Sequence, residues 1–403
     1  MGKHLNYLKK SFPIIESSGP IFDYGKLYHS DTFFLSYRPK TISDAQAFMK
    51  SANEQQCYIR FRGSGHTFNG CTMPKEDEIL IYTDQINHYR FESNSTLTVG
   101  AGAMVWDVRD LAREFGHDLK VYNGGWAGPS VGGFISAGGF GKGNLSKSNG
   151  GLWESINWIK LIDAFGKIHQ IHREDALFPW LFGSYGQLGL IVEANFQLIS
   201  KKPFFFYMTG VELKSLKLPL NAEGVIPMRQ IDDPKKNLLP PEDSYSNILF
   251  WFSLLIDPKK ELQAWKDIER WVVRNSSFIK PEGGWHGPLM NGEPIGYHYV
   301  IKYLNFHPPL VYSKSQDFLV IGVMSRLEVK QKKSISRILA IEKEFVELAN
   351  RRNYGLYLQA ENIGCNIDFQ EYYGRTLYSK FLKIKEKFDP EHRVNHGVFF
   401  RSS

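Results

Sequence analysis

The segment Arg62-Gly63-Ser64-Gly65-His66-Thr67-Phe68-Asn69-Gly70 sets one imidazole among small residues, directly after the apolar-rich run 57–61. An imidazole there has backbone on every side and little side-chain bulk to keep a ligand away. Two further stretches share this composition. Residues 124–141 hold eight glycines, in the order Gly128-Pro129-Ser130-Val131-Gly132-Gly133 and then Ser136, Gly138, Gly139 and Gly141. Residues 183–192 carry a glycine turn through Gly186 and Gly189 into an apolar run that includes Ile191. Glycine is costly to order, so this density implies backbone passing very close to something. Successive amides in glycine-rich turns cradle anions, which suits a pyrophosphate. Singly, each segment also reads as a tight turn. No G-x-x-x-x-G-K-[ST] loop is present, and no GxGxxG opens a helix with an acidic residue about twenty positions on.

The elements that position these turns are legible as a pattern of strand, helix and strand. Helices are predicted over 43–53, capped by Thr or Ser, and over 105–115, with short strands at 58–61, 79–82, 97–99, 156–162 and 191–198. After 201–203 the pattern predicts strands at 204–213, 248–256 and 318–324, with helices over 259–273 and 330–351. Two Pro/Gly/Asp-rich excursions, 232–245 and 280–296, have the length of binding or mobile loops. A final helix is predicted over 376–388. There is no internal repeat.

At 403 residues the chain is long enough for two or three domains. The 14% aromatic content is high, and some surplus is expected around a large flat ligand. The net charge of +7 comes from scattered lysines, without a basic block or a nucleic-acid module, so it reads as a solvated surface rather than a nucleic-acid site. No apolar run is long enough to span a membrane, and the first twenty residues lack a signal-peptide core. Three cysteines, Cys57, Cys71 and Cys365, form neither a disulfide framework nor a metal set. A cytoplasmic location is the expectation.

Taken in order, Arg62 to Thr67, Pro129 to Gly133, Ser136 to Gly141 and Gly186 to Ile191 resemble the FAD-binding domain of the vanillyl-alcohol oxidase / p-cresol methylhydroxylase (PCMH-type) family. Tyr372-Tyr373-Gly374 and Lys387-Phe388-Asp389-Pro390 are similar to the closing segment of its berberine-bridge-enzyme-like branch, and Arg62 to Asn69 also resembles alditol and aldonolactone oxidases. The resemblance implies an α+β fold: a two-subdomain FAD-binding domain plus a substrate domain whose mainly antiparallel sheet is covered by helices. The expected boundaries are 1–203 for the first part of the FAD-binding domain, 204–352 for the substrate domain and 353–403 for the return. It implies FAD as cofactor, held by residues 62–67, Gly70, Gly128 to Gly133, Ser136, Gly138, Gly139, Gly141, Gly189, Ile191 and Asn395.

In many members the histidine at the position of His66 is bonded to the flavin, so covalent attachment through His66 is expected. Its alternative is a simple hydrogen bond. A second link from cysteine is not available, because Gly128 stands where doubly linked relatives carry that cysteine.

The resemblance implies hydride transfer from a carbon bearing a hydroxyl, on a sugar-like or natural-product small molecule, to the flavin and then to oxygen or another acceptor. Such a reaction needs a group to receive the hydroxyl proton. Tyr357, Gln359 and Glu361 alternate with Leu358 and Ala360, which reads as a strand with one polar face. That face either lines the substrate pocket or lies on a solvent-facing edge. Tyr372 is a further candidate beside the flavin, and Tyr297, His298 and Tyr303 are weaker ones. The lysines of alditol oxidases and of decaprenylphosphoryl-ribose oxidases are missing at the corresponding stretches. The competing class is a flavin-binding sensor or scaffold without turnover.

Overall fold

The computed structural model describes residues 2–17, 20–30, 33–92, 95–123, 128–143, 150–200, 223–226, 247–279, 289–290, 293–302, 307–312, 314–315, 317–328, 332–358 and 367–398. Among the described residues, three sheets of four or more strands with helices packed on them, beside three two-stranded ribbons, make an α+β architecture.

The first sheet has the order Ile15–Ser17, Phe34–Tyr37, Glu78–Tyr82, Tyr58–Arg62, and its last three strands are parallel. Parallel neighbours need a crossover, which the helix Ile42–Glu54 supplies. Thr41 caps that helix reciprocally with Asp44, and Ala45, Phe48, Met49 and Ala52 form its buried face. On the free side of Tyr58–Arg62 the chain returns from its far end. Ile59 and Val394 form a parallel bridge, with Ile59 N donating to Arg393 O at 2.9 Å and Asn395 N to Ile59 O at 2.8 Å.

The second sheet is antiparallel, in the order Ile168–His172, Ile156–Ile162, Leu190–Ser200, Thr96–Gly100, His88–Glu92, Glu223–Val225, and His117–Leu119 joins the far end of Leu190–Ser200. The helix Val105–Glu114 and the short helix Val131–Ser136 bury their apolar residues in the same core.

The third sheet is also antiparallel, in the order Tyr297–Lys302, Asp317–Glu328, Asn247–Ile256, Gly355–Leu356. Alternation along Asn247–Ile256 sends neighbouring side chains to opposite faces. Phe252 meets Trp271 of the helix Glu261–Arg274 at 4.7 Å and Phe345 of the helix Lys332–Arg352 at 5.3 Å. Trp251, on the other face, meets Phe68 of the first glycine segment at 5.5 Å. Burying one such phenylalanine contributes about 1.5–3 kcal/mol.

Most expected elements are present with ends shifted by one to four residues. The exception that matters is the strand expected through Tyr357. The strand ends at Leu356, although Tyr357 N still donates to Ser253 O at 3.3 Å; Tyr357 and Leu358 are both buried, and 359–361 lie outside the described residues. The expected strand 204–213, the loop 232–245 and most of 280–296 lie outside the described residues. Among the described residues, no helix is long and apolar enough to cross a membrane.

Candidate functional site

Two buried arginines anchor the strand that leads into the first glycine turn. Arg60 makes a two-pronged bond to Glu78, at 2.9 and 2.6 Å, and donates to His396 O at 2.8 Å. Arg62 donates to Phe22 O at 2.6 Å and Thr72 Oγ1 at 2.8 Å. Arg62 is thus committed to holding the turn. Gly65, with φ +67°, lies against its guanidinium, where a Cβ would overlap it.

The first and second glycine segments dock on one another. Ser64 Oγ accepts from Ser130 N at 3.2 Å, and a Cβ on Gly63 would overlap Ser130 Oγ. Ser130 in turn caps the helix Val131–Ser136 by accepting from Gly133 N at 3.3 Å. The amides of Val131 and Gly132 are used by Ala103 O and Ala101 O, and that of Phe134 by Ser130 O, each at 2.8 Å. The run Gly63, Ser64, Gly65 is different: among the described residues its amides have no acceptor. Three consecutive donors in a tight turn form an anion cradle.

The remaining glycines are explained by the chain's own packing. A Cβ at Gly139 would strike the Phe134 ring, at Gly141 the Tyr122 carbonyl, at Gly128 the Asn123 amide, at Gly189 the Ile162 carbonyl, and at Gly70 the Tyr28 ring. The glycine density that suggested close approach to a ligand therefore serves mainly close approach of one segment to another. Pro129 and Ile191 are equally structural: Pro129 O accepts from Val105 N at 3.1 Å, and Ile191 pairs with Leu161 in the second sheet. Ser136 O accepts from Tyr185 N at 2.8 Å, and Gly138 faces Val311.

His66 is partly buried with its ring against that of Tyr24, centroids 4.1 Å apart. Burial favours the neutral imidazole and pulls its pKa down to about 4. Tyr24 belongs to a segment that runs alongside the turn, with Tyr24 N donating to Gly65 O at 2.9 Å and Gly25 N to Thr67 O at 3.3 Å. Asp23 in the same segment accepts from Gly70 N at 3.2 Å, and its other oxygen is buried without a partner among the described residues. Burial raises the Asp23 carboxyl to about 8, against smaller opposing contributions from Gly70 N–H and Arg62. Cys71 is partly buried as well, and desolvation pushes its thiol up to about 12, so it stays protonated and a poor nucleophile.

Asn69 ties this turn to the third sheet, donating to Leu358 O at 2.8 Å. That brings Tyr357 over the site, its ring 4.3 Å from Phe140 and 5.3 Å from Trp251. Tyr185 joins it: desolvation, then the neighbouring Tyr357, Tyr373, Cys71 and Tyr372, raise its hydroxyl well above the ordinary tyrosine value. Tyr185 sits at φ 53°, an uncommon strain for an aromatic residue. Tyr372 is held differently. Its hydroxyl accepts from Leu356 N at 2.8 Å and donates to Leu356 O at 3.1 Å, so it terminates the sheet. Gln359, Glu361, Tyr303 and residues 124–127 lie outside the described residues, and Tyr297 and His298 are placed by backbone alone.

Asn395 closes the site from behind. Its Oδ1 accepts from Phe61 N and its Nδ2 donates to Tyr185 O, both at 2.8 Å. Beside it, Gln187 is fully buried with neither amide atom partnered among the described residues, although its backbone carbonyl accepts from Lys385 Nζ at 3.1 Å. Sequence reasoning missed Gln187, Tyr185, Tyr24 and Asp23 as site residues. Gln187 and Tyr185 lie inside a glycine motif already singled out. The only signal at 23–25 is a short Asp-Tyr-Gly turn.

An amide run and a Gln187 side chain without partners among the described residues, a neutral imidazole and aromatic walls suit a pyrophosphate joined to a flat polar ring. Over 171 residues the chain is 25% identical to a D-lactate dehydrogenase of Archaeoglobus fulgidus, covering 41% of this chain and 38% of that protein. Over 165 residues it is 25% identical to an uncharacterized oxidoreductase, ORF5 in the fasciation locus of Rhodococcoides fascians, covering 40% and 36%. The chain thus spans less than two-fifths of the length of either relative. Residues 35–172, which carry most strands of the first two sheets and the amide cradle, match the FAD_binding_4 family model, an FAD-binding domain.

Proposed function

We propose that the protein is an FAD-dependent oxidoreductase that takes a hydride from a hydroxyl-bearing carbon of a sugar-like or natural-product small molecule. The observation that carries this reading is the acceptor-free amide run Gly63–Ser64–Gly65 beside His66, inside the matched FAD-binding domain. Bound FAD supplies the hydride acceptor. The chain's own part is positioning. Residues 63–65 hold the pyrophosphate, and Gln187, Thr67 and Asn395 support the cofactor from the strand side. Tyr357, Trp251 and Phe140 wall off water above it. The hydroxyls of Tyr357 and Tyr185 bind and orient the substrate hydroxyl. His66, neutral at pH 7, is the point of covalent attachment. Oxygen or another acceptor re-oxidises the cofactor. The name of the Archaeoglobus fulgidus relative, a D-lactate dehydrogenase, agrees with a CH–OH donor. The proposed division is 1–203 with 353–403 around FAD, and 204–352 over the substrate.

One observation favours a second reading, a flavin-binding sensor or scaffold without turnover. Tyr357, Tyr185 and Tyr373 are pushed upward by burial, and Asp23 sits at about 8, so none of these groups is a ready base at neutral pH. One experiment separates the readings. Purified protein should show a flavin spectrum with about one FAD per chain, and its visible band should bleach on anaerobic addition of a polyol or 2-hydroxy acid from a substrate panel. A colourless protein that FAD does not reconstitute removes both readings, and a coloured one that no candidate reduces leaves the sensor.

A further inference from the structure

Away from the FAD-binding domain, on the helix-covered side of the third sheet, a cavity of about 360 Å³ opens between the antiparallel helices Glu261–Arg274 and Lys332–Arg352. Four arginines line it: Arg270 and Arg274 one turn apart on the first helix, Arg351 and Arg352 at the end of the second. Trp271 forms part of its lining, and its indole N–H has no acceptor among the described residues. Two carboxylates share the cavity. Asp267 is buried and spoken for by Arg352 at 2.9 Å, the Tyr354 hydroxyl at 3.0 Å and Gln263 at 3.0 Å. Glu344 accepts from Asn275 at 3.3 Å. Among the described residues, Arg274 and Arg351 have no carboxylate partner.

Four guanidinium groups against two carboxylates leave an excess of two positive charges in one open cleft. A basic residue in a last helical turn complements the helix dipole, which covers Arg274, Arg351 and Arg352, but it does not account for their sharing one cleft with Arg270. Guanidinium forks match carboxylate and phosphate oxygens in pairs, and the cavity is of small-molecule size. We infer that this cleft is a binding site for a small doubly charged oxyanion, a phosphate monoester or a dicarboxylate. Arg274 and Arg351 are its primary ligands, and Arg270 closes the rim. The bound molecule is an effector rather than the oxidised substrate, because the third sheet separates the cleft from the Trp251 face. Asp267 connects the two sides. Its partner Tyr354 precedes Gly355–Leu356, the strand that delivers Tyr357 to the flavin-side wall.

The test is calorimetric titration of the full-length protein at pH 7.5 and 0.15 M sodium chloride. The probes are glycerol phosphate and succinate, with acetate as the singly charged control. The salt removes weak surface association. Saturable binding at one per chain by either dianion, weakened at least tenfold in the Arg274→Ala/Arg351→Ala variant, supports the site, and the dianion that binds identifies the source. Both arginines are exposed, so the variant should keep its melting temperature and flavin content. If neither dianion saturates, if acetate binds as well, or if the double variant binds as tightly as the wild type, there is no such site. Heat of binding is read whatever the flavin does, so failure here is separable from failure of the oxidoreductase reading.

Discussion

His66 and Asp23 lie in neighbouring segments, and burial moves their proton affinities in opposite directions. For His66 the folded value falls to about 4 from 6.5, so the stability it contributes is present above pH 6.5 and is lost as pH falls toward 4. For Asp23 the folded value rises to about 8 from 3.8, so its contribution is present below pH 4 and is lost as pH rises through 8. Asp23→Asn removes that loss while keeping an oxygen for Gly70 N–H. The variant should therefore melt several degrees above the wild type at pH 8.5, with the gap narrowing by pH 5 and closing below pH 4. Equal melting curves at both values would show that Asp23 is ionised in the folded protein. His66→Ala tests attachment. Wild-type protein should keep its yellow colour in the pellet after acid precipitation, with the label on a peptide containing His66 and with no cysteine link. The alanine variant should bind FAD through residues 63–65 and release it on denaturation. Loss of all flavin from acid-precipitated wild type would reduce His66 to a hydrogen-bonding neighbour.

The turns act as one element because they are stitched to one another, and Asn395 is the stitch with most at stake. Asn395→Ala leaves Phe61 N–H and Tyr185 C=O buried and unpaired, at about 1–3 kcal/mol each. The variant should lose about 2–5 kcal/mol in denaturant unfolding and bind FAD more weakly, and a loss under 1 kcal/mol would mean that water replaces the side chain. Sequence periodicity placed the long elements well, since helices such as Ile42–Glu54 carry both an apolar face and a capping box. It did not reveal the helix Val131–Ser136, whose two glycines argue against helix; the Ser130 cap and the burial of Val131, Phe134 and Ile135 override that propensity. It also extended a strand through Tyr357, where backbone pairing thins to one bond, Tyr357 N to Ser253 O at 3.3 Å, and the rings of Phe140 and Trp251 pack on the side chain. Two of the three glycine motifs, 62–70 and 124–141, lie within residues 35–172, the stretch that matches the FAD_binding_4 family. Residues such as Asp23, Tyr24 and Gln187 could not be read, because their roles come from contacts with segments distant in sequence.

At the scale of the molecule, the end of the described chain is built into its beginning. The helix Arg375–Phe388 stacks Phe381 on Trp180, with Phe388 O accepting from Ala164 N at 3.0 Å. Lys385 and Asp389 form a buried pair at 2.7 Å, and Asp389 also accepts from the amides of Arg393 and Val394. From there the chain enters the first sheet beside Ile59, four residues ahead of the amide cradle. A buried pair that loses one partner costs about 3–5 kcal/mol, so this return is a strong constraint on where residues 58–65 sit. If 353–403 completes the FAD-binding unit, a chain ending at 352 should purify without flavin. Supplying 353–403 as a separate co-expressed segment should restore about one FAD per complex. The Asp389→Asn form of that segment should restore much less, since it leaves the Lys385 charge uncompensated in a dry site. Retention of full flavin by the chain ending at 352 would place the whole cofactor site upstream and make the return a packing element only.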